Sequence, residues 1–388
     1  MGSDVRHRFP GLADGWARFD GPAGTQVVDT AIAAMAGYLS SGDNANGHGF
    51  FAASRATGEM VAEARSSVGQ LLGADPDGVV FGPNMTSLVL AFTRSVGRDL
   101  GPGDEVVCTR LDHDANLTPW VLAAEDRGAT VRLAPFDAAT GRLDPETVIS
   151  LLGERTRWVA VSGASNALGT VPDLPPIVAA AHAAGARVLV DGVHLVPHRP
   201  VDVAALGCDA LATSPYKWYG PHAGVLWVEP GLLGSLRPYK VRPADDKGPG
   251  RFETGTPAFE AIAGVGAAAE FLLEEGMPAL ADHEREVFAP LLDGLLAMEH
   301  VTVHGPTGLD GRTPTVAFNV RGRHPDEVAA ALADERVAVW SGDYYAVEVM
   351  RTLGLADTGG AVRAGVVRYT TPDDVARLLA AVGALGRA

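Results

Sequence analysis

The feature that most constrains the fold is an alternation, between residues 79 and 228, of short apolar runs with longer Ala-rich amphipathic stretches. Strand-like runs lie at 79–81, 106–108, 130–133, 158–161, 187–190, 210–213 and 225–227, and helix-like segments at 86 onwards, 120–126, 144–152, 177–184 and 201–206. Such alternation predicts repeated βαβ units, and therefore a mainly parallel sheet that helices cover on both faces. A sheet of this kind binds its ligand beyond the carboxyl ends of its strands.

The pattern changes after a Pro-, Asp- and Gly-rich loop at 242–250 and a long helix predicted over 259–275. Predicted helices at 281–298, 325–334 and 373–385 then alternate with strands at 301–303 and 316–320. We therefore predict a large α/β domain over 19–275. A small α+β domain over 276–388 would include an N-terminal arm, residues 1–18.

Composition excludes several classes of protein. The net charge of −16 and the lack of any Lys/Arg run argue against binding to nucleic acid or to an anionic membrane. Two cysteines, Cys108 and Cys208, are too few and too far apart for a disulfide framework or a four-cysteine metal site. No stretch approaches the roughly 18 apolar residues of a membrane span, and the N-terminus lacks the apolar region of a signal peptide. We expect a soluble cytoplasmic protein.

Four polar residues follow predicted strands, at the edge of the sheet where a ligand would bind. His113, Asn166, Asp191 and Lys217 each come just after a strand-like run. An acid at the end of one strand and a Lys at the end of the next are what pyridoxal phosphate requires. The Lys forms a Schiff base with the cofactor, and the Asp pairs with the pyridinium nitrogen so that the ring can accept electrons.

Six motifs in a fixed order carry a family resemblance: GPNMTS (82–87), LDHDANLTPW (111–120), SNALGT (165–170), DGVHLVPH (191–198), SPYKWYGPH (214–222) and RFETGTP (251–257). With them, the chain resembles the class V aminotransferase and cysteine desulfurase group of fold-type I pyridoxal phosphate enzymes. The resemblance runs from FDGPAGTQ (19–26) to VRAGVVRYTT (362–371). It implies a large domain with a mainly parallel seven-stranded sheet, a small C-terminal α+β domain, and a homodimer with shared active sites.

The resemblance also implies roles for individual residues. Lys217 would carry the cofactor and later take the Cα proton, Asp191 would pair with the pyridinium nitrogen, and His113 would stack on the ring. Asn166 and His194 would hydrogen-bond the phenolic oxygen. The phosphate would be held by Met85, Thr86, Ser214, Tyr216 and, from the other subunit, Thr256.

Three further residues would contact the substrate. Arg363 would bind the α-carboxylate through both arms of its guanidinium, a geometry that Lys cannot reproduce. Arg368 and Tyr345 would shape substrate choice. Tyr345 belongs to the loop WSGDYYA (340–346), whose Trp340, Tyr344 and Tyr345 are as compatible with packing in the core or at a dimer interface as with substrate contact.

One departure from the family pattern bears on the reaction. True desulfurases carry a nucleophilic Cys on the loop that matches 341–346, and alignment on Gly342 places Tyr345 there. Cys108 lies inside a predicted strand and Cys208 begins another, so neither is a substitute. The chain therefore resembles a desulfurase-like subfamily without the catalytic Cys, and persulfide transfer is not expected.

We therefore predict β-elimination from a cysteine S-conjugate, a C–S lyase reaction that yields a thiol, pyruvate and ammonia. Transamination or decarboxylating oxidative deamination of a related amino acid is the nearest alternative, and a protein that keeps the fold only for binding is a more distant one. We expect no bound metal. His194 and His198 have metal-ligand spacing for a helix, but Pro197 between them opposes a helix and no third ligand is indicated.

Overall fold

The computed structural model describes residues 5–386. The first four residues of the predicted N-terminal arm and the last two of the predicted small domain lie outside this range. The strands within it, in chain order, are β1 (Ala17–Arg18), β2 (Val79–Gly82), β3 (Glu105–Thr109), β4 (Thr130–Ala134), β5 (Thr156–Ser162), β6 (Arg187–Asp191), β7 (Ala210–Thr213), β8 (Gly224–Val228), β9 (Val301–His304), β10 (Thr315–Val320), β11 (Val337–Ala338), β12 (Trp340–Gly342) and β13 (Ala361–Gly365).

The helices precede, connect and follow these strands. In chain order they are α1 (Asp29–Ser40), α2 (Ala52–Leu72), α3 (Met85–Val96), α4 (Thr118–Glu125), α5 (Pro145–Ile149), α6 (Leu174–Ala183), α7 (Val203–Leu206), α8 (Pro230–Ser235), α9 (Phe259–Glu275), α10 (Met277–Leu296), α11 (Pro325–Asp334), α12 (Val347–Thr352) and α13 (Pro372–Leu385). Over the described part of the chain, none of them has the length and apolar character that crossing a bilayer requires.

The main sheet has seven strands in the spatial order β2, β8, β7, β6, β5, β3, β4. The five strands from β7 to β4 run parallel, whereas β8 is antiparallel to both of its neighbours. The predicted fold class is thus confirmed, with a sheet that is mixed at one edge. The connection between β7 and β8, residues 214–223, is shorter than the crossover that a parallel pairing of these strands would need.

Successive residues of the central strands point into two separate cores. In β6, Val188 and Val190 pack with residues of α2, α6 and α9, whereas Leu189 packs with residues of α3, α4 and α8. This is the twofold alternation of a strand, here with apolar residues on both faces because helices cover both. The polar side chains needed for chemistry are consequently found at the ends of the strands.

A second, smaller unit follows Gly276, where the chain passes from α9 to α10. Its antiparallel sheet has the order β12, β13, β10, β9, and one face packs against α10, α11 and α13 through residues such as Phe288, Phe318 and Leu378. The N-terminal segment joins this unit, because β1 pairs in parallel with β11.

Candidate active site

The carboxyl ends of β3, β5, β6 and β7 border a cavity of about 70 Å³. It contains all four residues that the strand-end argument selected, His113, Asn166, Asp191 and Lys217. The lining is completed by Asn84, Met85, Thr86, Ala115, Ser162, Ala164, Val193, His194, Ser214 and Tyr216. The parallel register explains the convergence, since Ser162 at the end of β5 lies opposite Asp191 at the end of β6.

Lys217 lies on a single 3₁₀ turn directly after β7. Its Nζ donates a hydrogen bond to the carbonyl of Pro22, in the N-terminal segment, and lies 5.6 Å from the centre of the Tyr216 ring. Burial, together with the nearby Arg363, lowers the pKa of Lys217 to about 7, and Asp191 only partly opposes this shift. A substantial fraction of Lys217 is therefore an uncharged amine near neutral pH.

Asp191 is the last residue of β6, and its Oδ1 accepts a hydrogen bond from the Val193 N–H at 2.9 Å. Burial raises the pKa of Asp191 to about 6, against the lowering effects of that hydrogen bond and of Lys217. A second buried carboxyl, Asp112, lies close enough to interact with it and has a pKa that burial raises to about 7. With a pKa of about 6, Asp191 is mostly ionised at neutral pH and favours a cation beside it.

His113 precedes a 3₁₀ turn, and its Nδ1 accepts a hydrogen bond from the Ala115 N–H at 3.0 Å. Its pKa is lowered to about 3 by burial and by the charges of Lys217 and Arg363. The imidazole is therefore neutral and carries its proton on Nε2. The ring of Tyr345 lies 5.7 Å from that of His113, centre to centre.

The N-terminus of α3 supplies an anion-binding element at the other end of the cavity. Met85 is its first residue, and Asn84 caps the helix by accepting the Ser87 N–H at 2.8 Å. The remaining free N–H groups and the helix dipole favour a negative charge there. Gly224 on β8 makes this packing possible, because a Cβ at that position would lie 2.6 Å from the Met85 nitrogen.

Arg363 enters the site from the small unit. Its strand neighbours Val362 and Ala364 face the small core, so the alternation of β13 turns Arg363 toward the cavity. The guanidinium donates to the Asn166 carbonyl at 2.9 Å and stacks 4.3 Å from the centre of the Tyr344 ring. No acidic side chain within residues 5–386 forms an ion pair with it, although burial lowers its pKa only to about 10.

Three buried polar atoms at the site have no hydrogen-bond partner in the described part of the chain. They are Asn166 Oδ1, His194 Nδ1 and Arg363 Nε. Buried polar atoms are paired in the great majority of cases, so this cluster indicates a polar ligand that would complete the pairing. Together with the anion-binding helix and the buried lysine, it fits the phosphorylated aromatic cofactor that the sequence predicted.

Not every predicted site residue lines this cavity. Thr256 lines a different, surface cavity of about 370 Å³ that also includes Phe252 and Ile262. Tyr345 is 71% exposed beside His113, and the Arg368 Nε forms an ion pair with Glu275 at 2.8 Å. Thr256 and Arg368 are therefore separated from the strand-end group, whereas Tyr345 contacts His113 and Arg363 contacts Asn166 without lining the cavity themselves.

The cysteines also lie away from the cavity. Cys108 is buried inside β3, and Cys208 is buried just before β7 rather than within it. Burial raises the pKa of both thiols, that of Cys208 to about 12. Neither thiol reaches the pocket, and neither is a reactive thiolate at neutral pH.

Sequence reasoning missed several residues that complete the site. Pro22 contributes a backbone carbonyl, Asp112 lies behind Asp191, and Tyr344 stacks on Arg363. Thr315 contacts His194, as described below. Pro22, Asp112 and Tyr344 lie in motifs already noted, FDGPAGTQ, LDHDANLTPW and WSGDYYA, whereas Thr315 had no signal in the sequence.

The comparisons with known proteins identify the family. The Aminotransferase class-V family model matches residues 18–378. A cysteine desulfurase of Yersinia pestis is 34% identical over 339 residues, which cover 84% of this chain and 82% of the relative. A cysteine desulfurase structure from Thermococcus onnurineus matches at a TM-score of 0.93 and 28% identity, covering 100% of both chains.

A solved complex of the cystine C–S lyase C-DES with its product also matches, at a TM-score of 0.84, covering 97% of this chain and 99% of that one. At 24% identity this likeness shows a shared fold alone. The family match and the identity to the desulfurase go further and confirm the resemblance. The chain belongs to the class-V aminotransferase family of pyridoxal-phosphate-dependent enzymes and is related to cysteine desulfurases.

Proposed function

We propose that this enzyme catalyses β-elimination from an L-cysteine S-conjugate and releases a thiol, pyruvate and ammonia. The observation that carries the proposal is a desulfurase-like pocket that neither of the chain's two thiols reaches. Sulfur removed from a substrate therefore has no cysteine of this chain to accept it. The sulfur would therefore leave as a thiol that keeps its substituent.

We assign the cofactor contacts to the residues that line the cavity. Lys217 would hold pyridoxal phosphate covalently, Asp191 would face its ring nitrogen, and His113 would cover its ring. The phosphate would be held by Met85, Thr86, Ser214 and Tyr216, with Thr256 of a second subunit. When bound, the cofactor supplies an electron sink that stabilises negative charge at the substrate Cα.

Arg363 is the proposed anchor for the substrate carboxylate. It is buried and has no acidic partner among residues 5–386, and such a guanidinium gains most from a bidentate anion. Its stacking on Tyr344 and its hydrogen bond to the Asn166 carbonyl hold the group in one orientation. An L-amino acid bound there would have its Cα held at the cofactor end of the pocket.

Lys217 is the proposed base. With its pKa near 7, the Lys217 ε-amine would be uncharged in part and able to take the Cα proton of an amino acid held by Arg363. Breaking the Cα–H bond allows the Cβ–S bond to break, and protonated Lys217 returns its proton to the departing sulfur. One water molecule then hydrolyses the remaining three-carbon fragment to pyruvate and ammonia.

The residues at the entrance of the pocket favour a substrate whose sulfur carries a substituent. Tyr345 is largely exposed there, and its backbone is fixed by a hydrogen bond from the Asp114 N–H to its carbonyl at 2.7 Å. An exposed aromatic ring beside His113 provides an apolar surface for an alkyl or aryl group. Arg368, paired with Glu275, would act on substrate choice only from outside this cavity.

The test is to incubate cofactor-loaded protein with S-methyl- and S-benzyl-L-cysteine and to identify the products by mass spectrometry. We expect the intact thiol and pyruvate in equal amounts, and the loss of both in Lys217→Ala. Lys240→Ala is the matched control, since Lys240 is paired with Asp246 on a loop outside the pocket. Detection of an oxo acid or aldehyde that still carries the sulfur would contradict elimination and would indicate transamination or oxidative deamination instead.

A further inference from the structure

His194 joins the two units of the molecule at the active site. It lies in the segment after β6, is 2% exposed, and lines the cavity. Its Nε2 is 2.9 Å from the hydroxyl of Thr315, the first residue of β10 in the small unit. Thr315 is also fully buried, so this contact excludes water.

The proton on the His194 ring can be assigned from the partners of the two groups. Within the described residues, the Thr315 hydroxyl has no hydrogen-bond partner other than His194, and His194 Nδ1 has none. If Nε2 carried the proton, the buried Thr315 hydroxyl hydrogen would have no acceptor. If Thr315 donates to Nε2 instead, that hydrogen is satisfied and the ring proton lies on Nδ1, available to a ligand.

The surroundings keep this imidazole neutral. Burial, with the charges of His198, Lys217 and Arg363 around it, lowers the pKa of His194 well below its ordinary value. His198 packs edge-on against His194, with ring centres 5.0 Å apart. Its Nδ1 is in turn 2.8 Å from Glu284 of α10, which holds His198 in place.

We propose that Thr315 is a positioning residue whose hydroxyl fixes His194 in the Nδ1–H tautomer, so that His194 donates to an anionic oxygen in the pocket. On the proposed function, on which this inference rests, that oxygen is the phenolic oxygen of pyridoxal phosphate. Thr315 belongs to the small unit and His194 to the main one. The contact therefore couples the position of the small sheet to the hydrogen bonding of the cofactor.

The test compares three variants with the wild type, all as full-length, cofactor-loaded protein. Thr315→Val removes the hydroxyl with little change of volume, and Thr315→Ser keeps it. Thr313→Val is the matched control, because the Thr313 hydroxyl is equally buried but donates to the Gly169 carbonyl instead. Cofactor dissociation constants are measured by equilibrium dialysis, and the absorbance of the bound cofactor is titrated with pH.

Loss of a donor to an anionic oxygen disfavours the anion. In Thr315→Val we therefore expect roughly tenfold weaker cofactor binding, the effect of about one hydrogen bond, and an absorbance transition shifted up by about one pH unit. Thr315→Ser and Thr313→Val should stay within about twofold of the wild type. Unfolding midpoints measured alongside separate a loss of fold from a loss of positioning.

Two different failures are distinguishable. If the wild type neither retains pyridoxal phosphate in dialysis nor shows its absorbance, the proposed function itself is wrong. If the wild type binds the cofactor but Thr315→Val binds and titrates like Thr313→Val, only the role of Thr315 is overturned. That role is also overturned if Thr315→Ser behaves like Thr315→Val.

Discussion

A buried lysine with a depressed pKa makes stability depend on pH. The folded pKa of Lys217 is about 7 and its ordinary value is 10.5, so between these pH values the unfolded chain binds one more proton than the folded chain. Stability of the cofactor-free protein should therefore rise with pH across this window. Relative to Lys217→Met, the wild type should gain about 3 kcal/mol between pH 7 and 9.5, at about 1.4 kcal/mol per pH unit.

The measurement is urea unfolding of both cofactor-free proteins at several pH values. The difference between them isolates Lys217, because every other titrating group is common to both. Parallel stability curves would mean that Lys217 keeps its ordinary pKa in the folded chain. It would then be charged near neutral pH and unable to act as the proposed base without further deprotonation.

At the scale of single residues, the sequence predicted the site where side chains follow strands directly. His113, Asn166, Asp191 and Lys217 share one edge because parallel strands end together. Thr315 and Tyr344 could not be found this way, since they belong to the small unit and contact His194 and Arg363 through tertiary packing. Nothing in the sequence around a threonine at the start of an apolar strand indicates whether that threonine contacts a histidine or is simply buried.

The junction of β8 with α3 depends on the lack of a side chain at Gly224. A Cβ there would overlap the backbone of Asn84 and Met85, and backbone atoms cannot rotate away as a side chain can. In Gly224→Ala we expect a loss of about 2 kcal/mol in unfolding free energy, typical of overpacking, and weaker binding of inorganic phosphate.

Gly234→Ala is the control for this prediction. Gly234 lies in α8 with open space where a Cβ would be, so alanine there should stabilise the protein slightly through helix propensity. Both variants are compared by urea unfolding and by phosphate titration of the cofactor-free protein. If the two alanine variants unfold alike, the close approach of β8 to α3 does not constrain position 224.

The loop after β12 has two consecutive non-glycine residues in the left-handed region, Tyr344 at φ 57° and Tyr345 at φ 56°. An L-residue costs about 1 kcal/mol in this conformation, whereas glycine adopts it freely. We therefore expect Tyr345→Gly to be about 1 kcal/mol more stable than Tyr345→Ala, since both lose the same ring.

The same pair of substitutions at Leu122, exposed on α4, should give the opposite order, because alanine is the better helix former. Chemical unfolding of all four variants tests both signs. If alanine is also the more stable residue at position 345, the loop relaxes out of the left-handed conformation once the tyrosine ring is removed.

Among the elements, the predicted bounds were accurate where strong signals marked the ends. The structure has α9 ending before Gly276 and α11 beginning at Pro325, as predicted. Helix α10 begins four residues earlier than predicted, because Pro278 in the first turn needs no hydrogen-bond partner for its nitrogen. Strand β13 was not predicted, since Arg363 interrupts its apolar pattern although it is buried in the folded chain.

Thr256 supports a prediction about the whole molecule. It lies on a surface cavity apart from Lys217, and the family resemblance implies that it acts in the site of a second subunit. Lys217→Ala and Thr256→Ala chains, co-expressed with different tags and purified as a heterodimer, should then contain one intact site. We expect about half of the wild-type activity from a pair of variants that are each impaired alone.

The opposite arrangement gives a different number. If Thr256 acted within its own chain, every site of the heterodimer would lack one of the two residues. The activity of the heterodimer would then be no higher than the mean of the activities of the two variant homodimers. Sedimentation of the wild type establishes whether a dimer is present at the assay concentration.

The burial of both cysteines has a practical consequence. Neither Cys108 nor Cys208 exposes its sulfur to reagents, so maleimide dyes should leave the native wild-type protein unlabelled. A cysteine introduced on the surface of each unit would then be an exclusive attachment point for a fluorophore. Energy transfer between such a pair could follow, in real time, how the distance between the units changes as an amino acid binds and its products depart.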